Sequence, residues 1–96
     1  MPPSSDTTTH TDDTAEADVV LPAHLHARPA GRLAKAAGQL SCRLEISHEG
    51  KTVDAAGILA VMGLGATAGT TITVRAHGEG AHAAVTEICE LLRTID

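Results

Sequence analysis

The middle of the chain carries a pattern that limits its possible folds more than any other. Residues 42–47 alternate between apolar and polar side chains, as in a strand with one buried and one wet face. Residues 48–50 resemble a hairpin connection, with His48 exposed, and residues 51–54 form the returning strand. Because strands joined by a tight hairpin are antiparallel, the chain is predicted to build an antiparallel sheet.

Further segments complete an α+β pattern of β-α-β-β-α-β-α. Residues 17–21 and 70–76 have the alternation of strands, and residues 56–64 fit a short helix. Two longer helices are predicted by apolar residues at helical spacing. These are Ala30, Leu33, Ala34, Ala37 and Leu40 within 27–40, and Ala81, Val85, Ile88 and Leu92 within 81–94. One-sided strands with amphipathic helices predict a four-stranded sheet covered by helices on one face.

The acidic residues are concentrated at the beginning of the chain. The formal net charge is -5, and residues 1–18 hold five acids and no Lys or Arg, so the remainder is neutral. Residues 1–16 have almost no apolar side chains, and we expect a disordered acidic tail followed by one domain over 17–96. The domain has no basic excess, and the chain has no Phe, Tyr or Trp. Both facts argue against nucleic-acid binding.

The two cysteines and the hydropathy pattern bear on the cellular setting. Cys42 and Cys89 lack the spacing of a zinc site or a disulfide framework and are predicted to be buried, reduced thiols. No stretch is apolar enough to insert into a membrane. The polar, acidic beginning is unlike a secretory signal, and we expect a soluble cytoplasmic protein.

The stretch of residues 24–30 is the candidate functional site. An imidazole, His24 or His26, stands just before a predicted helix start, followed by Arg28 and Pro29. Proline is tolerated in a first helical turn, and unpaired N–H groups at helix N-termini favour anions. Arginine supplies a charged fork suited to phosphate oxygens. The stretch therefore predicts a histidine presented to a phosphoryl group.

Two surface patterns suggest docking sites. Residues 56–64 are apolar on nearly every side, so some of Ile58, Leu59 and Met62 should be exposed, either for a partner or as extra core. Arg28, Arg32 and Lys35 form a basic row, which is either a solvated helix face or a docking face for an acidic partner. The glycines at 63–69 lack the Lys and Ser/Thr of a P-loop and predict only a turn.

These motifs together resemble the HPr family, the histidine-containing phosphocarrier proteins of the bacterial phosphoenolpyruvate:sugar phosphotransferase system. Residues 25–30, Leu-His-Ala-Arg-Pro-Ala, match the family's active-site motif. A second match lies at the family's spacing downstream, in residues 53–56, 58–65 and Gly69. The order of elements also agrees, so the resemblance covers residues 17–95.

The resemblance implies an open-faced β-sandwich, with three helices on one side of a four-stranded antiparallel sheet. It implies a monomeric carrier, rather than an enzyme, that needs no cofactor. His26 would accept a phosphoryl group on Nδ1 from phospho-enzyme I and pass it to the sugar-specific IIA components. Residues 27–29 would bind the phosphate, with Arg28 neutralising it. Partner docking would use Arg32, Lys35, Ile58, Leu59 and Met62.

Two positions depart from the family pattern. His24 stands where the family usually has glycine, which can alter the loop before the active histidine. Gly57 occupies the position of the family's regulatory serine. Without a hydroxyl group it cannot be phosphorylated, so regulation through that serine is not expected here.

Other functions are compatible with parts of the pattern. The same phosphohistidine could serve a dihydroxyacetone-kinase relay or a nitrogen-regulatory relay, which the sequence does not separate from sugar transport. A protein of another class could bind a metal through His24 and His26. That alternative is weaker because no third or fourth ligand is evident in the sequence, and we predict no metal site.

Overall fold

The computed structural model describes residues 14–95, which form four strands and three helices in the predicted order. The strands are β1 (Thr14–Val20), β2 (Arg43–His48), β3 (Lys51–Asp54) and β4 (Thr71–His77). The helices are α1 (Ala27–Gly38), α2 (Ile58–Met62) and α3 (Ala81–Arg93). The predicted tail over 1–16 lies outside the described residues up to residue 13 and stays a prediction there.

The four strands form one antiparallel sheet in the order β1-β4-β2-β3. Strand alternation separates its two faces, as predicted. Leu44, Ile46 and Val74 are buried on the helix-covered face, whereas Ser47 and Arg75 lie on the other face, partly exposed. The architecture is the open-faced sandwich expected from the sequence.

An aliphatic core joins the sheet to the helices. The predicted helix residues Leu33, Ile88 and Leu92 are fully buried in it. Cys42 and Cys89 are also buried and free, as predicted. Helix α1 ends at Gly38, slightly before the predicted Leu40, which packs at the edge of the core. The helical spacing therefore identified the buried faces correctly.

The first strand begins earlier than the sequence predicted. Residues 14–16 were expected in the tail, but they pair with β4, with Thr14 opposite His77 and Glu16 opposite Arg75. The polar side chains of this segment gave no hydrophobic signal. Backbone pairing and cross-strand contacts hold it instead, and these depend on β4, more than fifty residues away in the sequence.

The prediction that His48 is exposed in the hairpin turn was wrong. The turn consists of Glu49 and Gly50, whose φ angles are 50° and 83°, as in a two-residue turn that needs positive φ at both positions. His48 therefore remains in β2, paired with Lys51. It continues the inward side of the alternation and is buried, with 9% of its surface exposed.

Two segments of irregular backbone are tied together beside the N-terminus of α1. The Leu21 N–H donates to the Thr70 carbonyl (2.9 Å), and the Gly69 N–H donates to the Leu21 carbonyl (2.8 Å). Further along, the Leu25 N–H donates to the Ala66 carbonyl (3.2 Å). These bonds hold the loop after α2 against the segment that enters α1.

Candidate phosphoryl-accepting site

His26 stands at the N-terminus of α1, as the motif predicted. Its backbone is extended (φ −74°, ψ −174°), and its carbonyl accepts the first helical hydrogen bond, from the Ala30 N–H at 2.9 Å. The imidazole is exposed and does not cap the helix. The buried Pro29 lies in the first turn, where its missing N–H costs no helical hydrogen bond. The chain thus presents His26 to solvent from a fixed backbone.

The first turn of α1 offers hydrogen-bond donors beside that imidazole. Within residues 14–95, the N–H groups of Ala27 and Arg28 have no hydrogen-bond partner. These groups lie at the positive end of the helix dipole, and no acidic residue occupies the first turn. The Arg28 side chain is exposed. An anion at this helix end would meet two backbone donors and a guanidinium.

His24 is held differently from His26. Its Nδ1 atom accepts a hydrogen bond from the Ala68 N–H at 2.9 Å. The rings of His24 and His26 are nearly perpendicular (88°), with centroids 5.2 Å apart. Between them in sequence, Leu25 is buried and anchors the segment in the core. His24 therefore links the entry to α1 with the loop after α2.

Both histidines line an open pocket of 190 Å³. Its other lining residues come from the end of α2 and the following loop: Met62, Gly65, Ala66 and Thr67, together with Leu25. From the sequence this loop was predicted only to be a turn, and its place at the site was missed. It contributes backbone groups, which leave little trace in a sequence. Gly65 and Gly69 have positive φ angles, 68° and 87°. Glycine readily adopts such angles, so these two glycines were the signal in the sequence that the loop has a special backbone conformation.

The apolar side chains of α2 are exposed next to this pocket. The exposed fractions of Ile58, Leu59 and Met62 are 44%, 83% and 38%, as expected from the excess of apolar residues in this segment. Met62 also lines the pocket with His26, and α2 packs against α1. The apolar surface is therefore continuous with the histidine site. We call Ile58, Leu59 and Met62 the α2 patch.

The other predicted site residues lie on α1 and before α2. Arg32 and Lys35 are exposed on α1, about one and two turns beyond Arg28. Gly57 stands at the N-cap of α2 in an extended conformation (φ −97°, ψ 103°). A Cβ atom there would lie 3.5 Å from the Ala60 Cβ and the Asp54 carbonyl oxygen, which is ordinary contact. Space alone does not require glycine at this position.

Two features of the described residues bear on metal binding and on membranes. Residues 14–95 contain no group of three or more His, Cys, Asp or Glu side chains placed to hold a metal ion. The pair formed by His24 and His26 thus gains no third ligand of these types within that range. Among the same residues, none of the helices has the length and apolar character required to cross a bilayer.

The comparisons with known proteins agree on one family. The model of the family described as "PTS HPr component phosphorylation site" matches residues 14–94. The phosphocarrier protein HPr from Bacillus anthracis str. Ames is 28% identical in its crystal structure. The match covers 82% of this chain and 96% of that one, with a TM-score of 0.77.

Two other solved structures show the same relationship. The histidine-containing phosphocarrier protein of a mycoplasma is 33% identical, with 81% of this chain and 89% of that chain covered and a TM-score of 0.70. The Bacillus subtilis protein Crh, described as a swapped dimer, is 28% identical. Its match covers 81% of this chain and 90% of that one, with a TM-score of 0.71.

Proposed function

This chain belongs to the HPr family of phosphocarrier proteins of the phosphotransferase system, and from that membership we propose that His26 is its phosphoryl acceptor. In this proposal His26 takes the phosphoryl group from phospho-enzyme I on Nδ1 and passes it to sugar-specific IIA components. The protein acts as a carrier, and the partner enzymes supply the rate acceleration. The difference between the two neighbouring imidazoles carries the assignment.

Only one of the two histidines can offer a free nitrogen lone pair. Because Nδ1 of His24 accepts the Ala68 N–H, a neutral His24 ring carries its proton on Nε2, and neither nitrogen is a nucleophile. The side chain of His26 makes no capping bond and is exposed. Its neutral form keeps a lone pair for attack on phosphorus. The bond from nitrogen to phosphorus forms as the bond from phosphorus to the donor group breaks.

The surroundings of His26 suit a phosphoryl group that must leave again. The free N–H groups of Ala27 and Arg28 and the Arg28 guanidinium can donate to its oxygens. Because the site is open to solvent, the phosphoryl group is stabilised without being enclosed. A second protein can therefore reach the phosphorus from the solvent side.

The surface around the site supports docking of such proteins. The α2 patch supplies an apolar contact area beside the pocket, and exposed apolar groups next to a site are typical of partner surfaces. Arg32 and Lys35 add positive charge on α1, which complements an acidic partner and speeds association. We propose that the α2 patch and these basic residues form one docking surface.

Incubation with phosphoenolpyruvate and enzyme I tests the function. We expect one phosphoryl mass increment that is acid-labile and base-stable, as a phosphohistidine is. His26→Ala should abolish the increment. His82→Ala is the matched control, because His82 is an exposed histidine in the first turn of α3, and it should leave the increment unchanged. Uptake by His26→Ala would contradict the assignment. Transfer onward to IIA, as opposed to dihydroxyacetone-kinase components, would identify the pathway.

A further inference from the structure

His24 lies at the candidate site, but the proposed carrier step assigns no role to its polar side chain. Its ring lines the same pocket as the ring of His26 and is exposed. Its Nδ1 atom is occupied by the Ala68 N–H at 2.9 Å. Within residues 14–95, its Nε2 atom has no hydrogen-bond partner. A ring nitrogen at the pocket therefore remains available to a ligand.

The bond to Ala68 determines what that nitrogen can do. A nitrogen that accepts a hydrogen bond carries no proton, so Nδ1 is unprotonated while it accepts the Ala68 N–H. In the neutral ring with an accepting Nδ1, the proton resides on Nε2. The backbone of the loop thus converts His24 into a hydrogen-bond donor with a fixed tautomer.

The His24 ring lies beside the His26 ring in the same pocket, which points to the ligand it would meet. The two rings meet edge to face, with centroids 5.2 Å apart and planes at 88°, so the His24 side chain is an immediate neighbour of the His26 imidazole. A phosphoryl group on His26 would bring three oxygens into the neighbourhood of the second ring. The backbone donors of Ala27 and Arg28 follow His26 in the chain, whereas His24 precedes it. The donor on His24 would therefore be additional to those of the first turn of α1.

We propose that His24 is a phosphoryl-binding residue, whose Nε2–H donates a hydrogen bond to the phosphoryl group carried by His26. The inference rests on the function proposed above. The ligand is the phosphoryl group itself, and His24 takes no part in forming or breaking the bond to phosphorus. The additional donor stabilises the phosphorylated form relative to the free form. The carrier therefore holds its phosphoryl group more firmly than it would with a glycine at this position.

The tautomer can be tested without any phosphorylation. Long-range ¹H–¹⁵N correlation spectra of the full chain should show His24 protonated on Nε2, with an Nδ1 that accepts a hydrogen bond. The Ala68 amide proton should move upfield in His24→Ala, because its acceptor is removed. A neutral His24 that carries its proton on Nδ1 would overturn the proposal.

An equilibrium competition tests the bond to the phosphoryl group. Wild-type protein and a variant are mixed in equal amounts with phosphoenolpyruvate, below saturation, and a catalytic amount of enzyme I. The phosphoryl group then distributes between the two proteins, which a mass spectrum at alkaline pH resolves. Both His24→Ala and His24→Asn should hold a share lower by roughly three- to tenfold, the loss expected for one hydrogen bond.

The two variants separate the donor from the link between loops. Asparagine can still accept the Ala68 N–H through its side-chain oxygen, but its shorter side chain places no N–H donor at the position of Nε2. If His24→Asn kept the wild-type share while His24→Ala lost it, His24 would act only through the loop, and the proposal would be overturned. An unchanged share for both variants would overturn it as well. If the wild type took up no phosphoryl group at all, the proposed function itself would fail, and this inference with it.

Discussion

Arg75 donates two hydrogen bonds to one carboxylate oxygen of Glu16, with its Nε and Nη2 atoms 2.9 and 2.8 Å from Oε1. The two residues lie directly opposite each other on β1 and β4. This pair stabilises the beginning of β1, which was predicted from the sequence to be part of the tail. A polar segment becomes a strand here because its partner offers both a backbone ladder and a matching charge.

Removing that pair should loosen the start of β1 with a small effect on the whole fold. Glu16→Gln should lower the free energy of unfolding by about 0.2–1 kcal/mol, since both side chains are partly exposed. Amide exchange should accelerate at residues 14–16 and stay unchanged at the centre of β2. Glu87→Gln, on the exposed side of α3, is the control and should change neither quantity. A global loss of several kcal/mol would show that the pair has a larger role.

The buried His48 should be replaceable by an apolar residue. Among residues 14–95, its buried Nδ1 atom has no hydrogen-bond partner, and Nε2 lies 3.8 Å from the Glu49 carboxylate, beyond hydrogen-bond distance. An unsatisfied buried polar group costs about 1–3 kcal/mol. His48→Leu should therefore be neutral or raise the free energy of unfolding by up to about 1 kcal/mol.

Two companion variants make the His48 measurement decisive. His48→Ala leaves a cavity and should destabilise the protein by about 1–3 kcal/mol. His82→Leu alters an exposed histidine and should stay within about 0.5 kcal/mol of the wild type. Urea denaturation compares the three. A marked loss in His48→Leu would mean that the imidazole has a stabilising partner.

These examples show which parts of the molecule can be predicted from its sequence. Periodicity predicted the buried face of α3 and the alternation through Ile46, because both depend on local spacing. It failed for Glu16, whose strand exists through pairing with distant residues. It also failed for His48, because residues 48–50 were all assigned to the hairpin turn, whereas the turn consists of Glu49 and Gly50 alone.

The candidate site also has one part that the sequence predicted and one part that it could not predict. The exposure of the α2 patch was predictable because a domain of this size cannot bury so many apolar side chains. The hydrogen bond between His24 and Ala68 was not predictable, since one partner is a backbone N–H that any residue except proline could supply. A sequence shows which side chains are suited to bind a phosphoryl group. It does not show which backbone groups form hydrogen bonds with those side chains, such as the Ala68 N–H with His24.

Burial should make the Cys89 thiol unreactive and the fold sensitive to alkali. Burial raises its pKa, which the nearby Arg93 lowers and Asp18 raises further. Below the pKa of an unfolded thiol, about 8.5, folded and unfolded chains both hold the proton. Above it the unfolded chain loses the proton first, so stability falls as pH rises toward the folded pKa.

Thiol labelling and alkaline denaturation measure this effect. A disulfide reagent at neutral pH should modify Cys89 far more slowly in the native protein than in urea, with peptide mapping to distinguish it from Cys42. Cys89→Ala removes the titrating group and should flatten the loss of stability above about pH 8.5. Equal labelling rates in native and denatured protein would contradict the burial.

Leu59 should matter for transfer and not for folding. Its side chain is 83% exposed on the α2 patch, so Leu59→Ala should change the free energy of unfolding by less than about 0.5 kcal/mol. If the patch docks enzyme I, the rate constant for phosphoryl uptake at subsaturating protein should fall roughly fivefold. Val20→Ala is the matched control, because Val20 is also an exposed aliphatic residue (57%) but lies on β1. Equal losses in both variants would argue against a specific patch.

Restoring a hydroxyl group at Gly57 should be compatible with the fold. The position has negative φ and enough room for a Cβ atom, and serine is favoured over glycine at an N-cap by a few tenths of a kcal/mol. Gly57→Ser should therefore keep or slightly raise the free energy of unfolding.

Because the wild-type residue has no hydroxyl, a kinase that modifies the family's regulatory serine should leave the wild-type protein unmodified but phosphorylate Gly57→Ser. Gly57→Ala is the control for the added Cβ atom and should remain unmodified. Phosphate incorporation into the wild type would reveal a different acceptor on this chain.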